Sequence, residues 1–235
     1  MSTGKLWRML VPFETAFAEA GLRSPNLNIG PACRGCGSSA QTLRPKPLVL
    51  EWESGSDVVG DFTWPNGART AVKKSAMDVL MKQFRGIHSE PVVMVQDPKL
   101  KQPKKRTGRT KPRVWLPYTG PELVELWPDT TAPFLPTSTI TTANQCVMCG
   151  RQSRRISGIE VKSHLYNPDL GELVPDLHPR VPGQGLFIAA PNVQETPIFR
   201  VEEFSEAIFC TSHVKSFLKH ERFTNIEFLE YGDVV

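Results

Sequence analysis

The sequence has no apolar run of the roughly 18 residues that a membrane-spanning helix needs, so we expect neither a membrane segment nor a membrane partner. Pro12 and Glu14 interrupt the apolar stretch near the N-terminus, and no small-residue cleavage site follows it, which argues against a signal peptide. We therefore expect a cytoplasmic protein. Hydrophobic residues make up 40% of the 235 positions, which is enough for a core that does not depend on a metal ion.

Common signatures of catalysis are also missing. The sequence contains no P-loop, no dinucleotide-binding fingerprint and no G-x-S-x-G nucleophile motif. Its five histidines are scattered, and none belongs to a metal or nucleophile motif. These absences favour a protein that is not an enzyme.

One segment, residues 99–113, lacks acidic residues altogether and is strongly basic. Without its eight cations, the chain has 20 basic residues against 24 acidic ones, so the remainder is mildly acidic. The segment is rich in Lys, Pro, Gly and Thr and has little to bury, which predicts a basic surface loop. The eight cations are Lys99, Lys101, Lys104, Lys105, Arg106, Arg109, Lys111 and Arg113.

Two sets of charged residues are candidates for binding a partner. In the basic loop, Lys104, Lys105, Arg106 and Arg109 could neutralise phosphates or contact an acidic protein surface. Aromatic residues do not interleave with these cations, which argues against nucleic acid as the partner without excluding it. Near the C-terminus, acidic residues form a cluster that could face a basic partner surface, and we select Glu227 and Glu230 from it.

Four of the five cysteines form two C-x-x-C pairs, each followed by glycine: Cys33–Gly37 and Cys146–Gly150. A structural zinc ion takes four thiolates in a tetrahedron, and one tight C-x-x-C turn supplies two of them. Glycine after the second cysteine suits the backbone of such a turn. We therefore predict one structural zinc ion per chain, bound by Cys33, Cys36, Cys146 and Cys149.

This zinc ion would clamp distant parts of the chain together, because 109 residues separate Cys36 from Cys146. Other interpretations of the cysteines stay open. A redox-active dithiol needs a helix N-terminus after the pair to lower the thiol pKa, and neither pair precedes a convincing helix. Free thiols fit the matched spacing poorly, and a catalytic zinc ion would need an open position that four thiolates do not leave. Cys210 has apolar neighbours and is expected to be a buried core residue.

The pattern of apolar residues predicts a single α+β domain over residues 1–235. We expect a mostly antiparallel sheet, two or more helices and a pair of zinc-ribbon-like knuckles. The clearest helix is predicted over residues 70–84 with Thr70 as its cap, and residues 167–184 are predicted as a loop. Residues 201–235 are predicted as a C-terminal unit of strand, helix and strand.

With both motifs in view, the chain resembles the bacterial double-CXXCG motif family, toxin-immunity proteins of the swarming-inhibition type. The likeness lies in Cys33–Gly37 and in Cys146–Gly150 with the following Arg151 and Gln152. Gly60–Trp64 and Ser212–Tyr231 are further similar segments.

This resemblance implies a protein that binds and neutralises one cognate toxin without catalysis. The segments 99–113 and 167–184 are longer than the family pattern leads us to expect, and they are either toxin-recognition loops or tolerated insertions. A zinc-ribbon protein that binds nucleic acid through residues 99–113 is the alternative, and a dithiol oxidoreductase is a third possibility.

Overall fold

The structure is a computed structural model that describes residues 4–12, 16–22, 28–37, 39–42, 47–54, 58–65, 69–95, 114–115, 117–159, 161–167, 172–177 and 179–235. Two α-helices, α1 (Lys74–Gln83) and α2 (Ser212–His220), lie among many strands. The strands are β1 (Gly4–Leu10), β2 (Glu19–Leu22), β3 (Asn28–Ala32), β4 (Ser39–Thr42), β5 (Leu48–Ser54), β6 (Phe62–Thr63), β7 (Ala71–Lys73), β8 (Ile87–Val95), β9 (Val114–Trp115), β10 (Leu123–Pro128), β11 (Thr131–Ala132), β12 (Ile140–Gln145), β13 (Gln152–Ile156), β14 (Val161–Asn167), β15 (Glu172–Leu177), β16 (Leu186–Ile188), β17 (Ile198–Val201), β18 (Ile208–Thr211) and β19 (Glu227–Val234).

The strands form two larger sheets and three separate two-stranded hairpins. The first sheet has six strands in the order β11-β17-β18-β1-β19-β16. The second has seven strands, in the order β2-β5-β8-β10-β7-β6 with β9 also paired to β5. The hairpins are β3–β4, β12–β13 and β14–β15. Neither described helix has the length and apolar content needed to cross a membrane.

Both larger sheets are mixed, so the prediction of a mostly antiparallel sheet is corrected. Parallel pairs join β11 to β17 and β16 to β19 in the first sheet, and β5 to β8 in the second. The two strands of such a pair run in the same direction, so the chain must cross over between them. Between β5 and β8 this crossover contains β6, β7 and α1.

The start of the predicted helix over residues 70–84 is wrong. Residues 71–73 form β7, which pairs with β10 and β6, and α1 begins only at Lys74. Thr70 is fully buried and does not cap the helix, which has no side-chain cap at its N-terminus. Local helix propensity is outweighed here because two neighbouring strands supply partners for the backbone of residues 71–73.

The chain's last part forms β18, α2 and β19, in the predicted order. Residues 167–184 differ from the predicted loop, since residues 172–177 form β15, which pairs antiparallel with β14. The basic segment 99–113 lies outside the described residues.

A buried apolar cluster joins the two sheets, and we call it the core junction. Met9, Ile198 and Ile208 enter it from the six-stranded sheet, whereas Phe62 and Leu126 come from the seven-stranded sheet. Both helices contribute to the same cluster, including Leu80 from α1 and Leu218 from α2. Burying these side chains away from water is the main attraction between the sheets.

Three charged residues lie buried beside the core junction. Glu125 of β10 accepts two hydrogen bonds from Arg69, of 2.6 Å from Nε and 2.5 Å from Nη2. Arg200 of β17 lies over the ring of Trp127 at 5.1 Å from its centroid, and burial lowers the pKa of Arg200 to about 10. Because Glu125 and Trp127 belong to one sheet and Arg200 to the other, these charges also span the junction.

Candidate metal centre

The first cysteine pair lies in the tight turn that connects β3 to β4. The N–H of Gly37 donates to the carbonyl of Cys33 over 2.8 Å, which closes the turn. Gly37 has a φ of 69°, a left-handed conformation that glycine adopts without strain. Within the turn, the N–H of Gly35 points at the sulfur of Cys33, 3.4 Å away.

The second pair lies in an equivalent turn between β12 and β13. Here the N–H of Gly150 donates to the carbonyl of Cys146 over 2.8 Å, and Gly150 has a φ of 70°. Each C-x-x-C-G motif thus has the backbone that its glycine predicts. Neither pair is followed by a helix, since β4 and β13 come next, so the arrangement that activates a redox dithiol is not built at these turns.

The two turns meet, and they bring four sulfur atoms within 4.8 Å of one another. The sulfurs of Cys33 and Cys146 are 3.8 Å apart, and those of Cys36 and Cys149 are 3.7 Å apart. Four sulfurs placed about 2.3 Å from a zinc ion form a tetrahedron with edges of about 3.8 Å. The four cysteines therefore lie close together and could hold a metal ion, as predicted.

The electrostatics of the four thiols show why a cation fits between them. The N–H groups of Cys36 and Gly35 hold the pKa of Cys33 below its ordinary value. Cys149 behaves oppositely: the N–H of Arg151 acts to lower its pKa, but the neighbouring sulfurs and burial outweigh that effect and raise it to about 11. Four adjacent thiolates repel one another, and a divalent ion removes that repulsion.

The first turn belongs to an extension of the seven-stranded sheet. β3 and β4 are preceded and followed in the chain by β2 and β5, which pair with each other in that sheet with Leu22 opposite Leu50 and Glu19 opposite Glu53. The hairpin that carries Cys33 and Cys36 is therefore attached to the seven-stranded sheet.

The second turn is attached to the six-stranded sheet. At the base of β12–β13, Ile140 and Ile156 pack against a second buried cluster of the six-stranded sheet, separate from the core junction. The N–H of Thr139 donates to the carbonyl of Gly185 over 2.9 Å, next to β16. Arg154 also forms an ion pair with Glu203, in the turn after β17. A metal ion on the four sulfurs would thus form a second junction between the two sheets, which we call the metal junction.

No protein-family model and no curated protein matches this chain. The likeness to the double-CXXCG motif family therefore rests on the residues of the two cysteine turns and on the short segments quoted with them.

The predicted partner-binding residues come from two parts of the chain, and the structure describes only one of them. Lys104, Lys105, Arg106 and Arg109 lie outside the described residues. Glu227 is exposed at the start of β19.

Glu230 makes contacts within the fold. It accepts a hydrogen bond of 2.9 Å from Arg180 and lies 3.1 Å from the amino group of Lys5, so its charge is already compensated within the fold.

Cys210 is fully buried in the core junction, and this burial raises the pKa of its thiol.

One contact of the centre was not predicted from the sequence. A Cβ atom on Gly35 would lie only 2.8 Å from the sulfur of Met148, so the two turns approach each other closely at Gly35. The sequence offers one signal for this contact: the first C-x-x-C contains a glycine, and the second contains a long flexible side chain. It identifies a contact only once both turns are known to face each other.

Proposed function

We propose that this chain is a non-catalytic immunity protein that binds and neutralises a cognate bacterial toxin in the cytoplasm, and that it contains one structural zinc ion on Cys33, Cys36, Cys146 and Cys149. The observation that carries the proposal is the meeting of four thiols from two separate hairpins, one attached to each of the two larger sheets. The resemblance of the two C-x-x-C-G motifs supplies the immunity role.

Zinc is the metal that this set of ligands favours. Thiolates are soft ligands, and the tight turns set the sulfurs at the separations of a small tetrahedron. Four protein ligands fill a tetrahedral zinc ion and leave no position for water, so the ion holds the fold together and does not activate a nucleophile. This is the role expected of a zinc clamp in a protein that works by binding.

Toxin neutralisation needs a rigid, specific surface and no catalytic group. The metal junction would supply rigidity to two hairpins that are otherwise two-stranded, and isolated two-stranded hairpins are marginally stable in water. Inhibition would follow from covering the active or substrate-binding site of the toxin, with affinity set by surface charge and shape.

Two experiments test the proposal. Metal analysis of the purified protein should give about one zinc ion per chain; an iron centre, or no metal, would remove the zinc clamp. Expression of the open reading frame adjacent to this gene should arrest growth, and co-expression of this chain should restore it through a 1:1 complex.

The nucleic-acid alternative is tested with a short labelled duplex and a single strand. Submicromolar affinity that falls steeply with salt, without rescue of growth, would replace the immunity function by nucleic-acid binding.

A further inference from the structure

Val147, at the tip of the second cysteine turn, has no role that the fold explains. It is 100% exposed, although valine is branched at Cβ and is uncommon in tight turns. The equivalent position in the first turn is Arg34, so the shared backbone does not require an apolar residue there. The neighbouring Met148 is 64% exposed and faces Gly35 of the other turn.

The surface around this apolar tip is cationic. No Asp or Glu occurs in residues 20–50 or 130–159, the two stretches that contain the hairpins. Four thiolates and one divalent ion would together carry a charge of −2, whereas the two hairpins carry four arginines. Even with Glu203 counted against its partner Arg154, the hairpins would stay cationic with the metal bound. The four are Arg34, Arg151, Arg154 and Arg155.

The tip is also held in place. Packing of Ile140 and Ile156 and the ion pair between Arg154 and Glu203 fix the base of the second hairpin, and the metal junction would fix its turn. A surface that is ordered before binding loses little entropy when its partner arrives. Met and Arg, which are exposed on these hairpins, are enriched in protein–protein interfaces relative to the rest of the surface.

We infer that the tip formed by Val147 and Met148, with the exposed arginines Arg34 and Arg155 of the same hairpins, is the surface that docks onto an acidic, partly apolar face of the toxin. This inference rests on the proposed function. It places the contact on the metal-bound hairpins and not on the basic loop.

A protein surface fits this tip better than nucleic acid does. The two hairpins, residues 28–42 and 140–156, contain no Phe, Tyr or Trp on which a base could stack. An aliphatic side chain such as Val147 gains more from an apolar depression on a protein than from a phosphate backbone.

The test measures affinity for the purified product of the adjacent open reading frame. Val147→Asp should weaken binding at least about tenfold, because it places a carboxylate against an acidic face. Val58→Asp is the matched control, since Val58 is 60% exposed but lies outside the two hairpins, and it should change affinity less than about twofold. Arg155→Glu should slow association and reduce its salt dependence, whereas Arg85→Glu, at another exposed site, should not.

Zinc content and circular dichroism show whether each variant keeps its metal and fold, and Val147→Ser repeats the test without a new charge. If the wild-type protein does not bind the product or protect against it, both the proposed function and this inference fail. If the wild type binds and zinc-loaded Val147→Asp and Arg155→Glu bind equally well, only the inference fails. Loss of duplex affinity in these variants, with toxin binding intact, would assign the tip to nucleic acid and overturn the inference.

Discussion

The same two sheets meet at two junctions of opposite chemistry. The core junction is dry and apolar, with Phe62, Ile198 and Leu218 fully or almost fully buried. The metal junction is made of four thiols, of which those of Cys36 and Cys149 are exposed. The first depends on excluding water and is indifferent to metal supply, whereas the second would be closed by a bound ion. Loss of metal should therefore release the hairpins and leave the sheets joined.

The largest expected effect comes from removing one ligand of the metal junction. Cys146→Ser should reduce bound metal from about one ion per chain to almost none, because structural zinc sites bind with about 10–16 kcal/mol and need all four ligands. Hydrogen exchange should then accelerate at Gly37 and Gly150, whose N–H groups close the two turns, while amides of the core junction stay protected.

Cys210→Ala is the control, because Cys210 is a cysteine of the core junction and lies outside the cluster of four. It should keep its metal. Global unfolding of Cys146→Ser, or unchanged exchange at both turns, would show that the two junctions are not separable.

The second prediction concerns the charges beside the core junction. Glu125→Gln should lower the free energy of unfolding by about 3–5 kcal/mol, because it removes the buried carboxylate that accepts two hydrogen bonds from Arg69 and whose charge also favours the buried Arg200. Urea denaturation followed by circular dichroism measures the change, and metal content of the folded protein should be unchanged. Glu122→Gln, at an exposed position just before β10, should stay within about 0.5 kcal/mol of the wild type.

The smallest predicted effect is a gain in stability at the end of α2, a helix of the core junction. Arg222 lies two residues beyond the end of α2 and has a φ of 57°. The N–H of the next residue, Phe223, donates to the carbonyl of Leu218, which is the hydrogen bonding of a glycine cap. Arg222→Gly should raise the free energy of unfolding by about 1 kcal/mol by relieving the left-handed strain. Arg222→Ala keeps a Cβ atom and should gain little; equal gains in both variants would trace the effect to the arginine side chain instead.

The sequence predicted the centre better than the fold, for a physical reason. Cysteine pairs and the glycines after them constrain a few neighbouring bonds, so Gly37 and Gly150 could be placed in their turns from local rules. Strand pairing is different, because it is decided by distant partners. Ala71–Lys73 became a strand through β10 and β6, and β5 lies parallel to β8 only because the chain between them crosses over.

Contacts within the fold are also hidden from charge patterns, for the same reason. Glu230 reads as a free acid in a cluster of acids, but folding brings Arg180 and Lys5 to it from positions 50 and 225 residues away. The sequence alone does not show that Glu230 forms internal ion pairs. That requires the register in which β1 pairs with β19.

The sulfurs of Cys33 and Cys146 are separated by 113 positions in the chain. Closing a loop of that length in an unfolded chain costs about 4 kcal/mol of entropy before any further constant, so two loose C-x-x-C turns rarely meet by diffusion. Once the core junction has formed, the turns are held side by side and their effective concentration rises steeply. Uptake of a metal ion by the four cysteines would then follow folding and would not direct it. The fraction of chains that carry an ion would then report the fraction of molecules that have folded. Measuring bound metal would therefore measure the native fraction of a preparation.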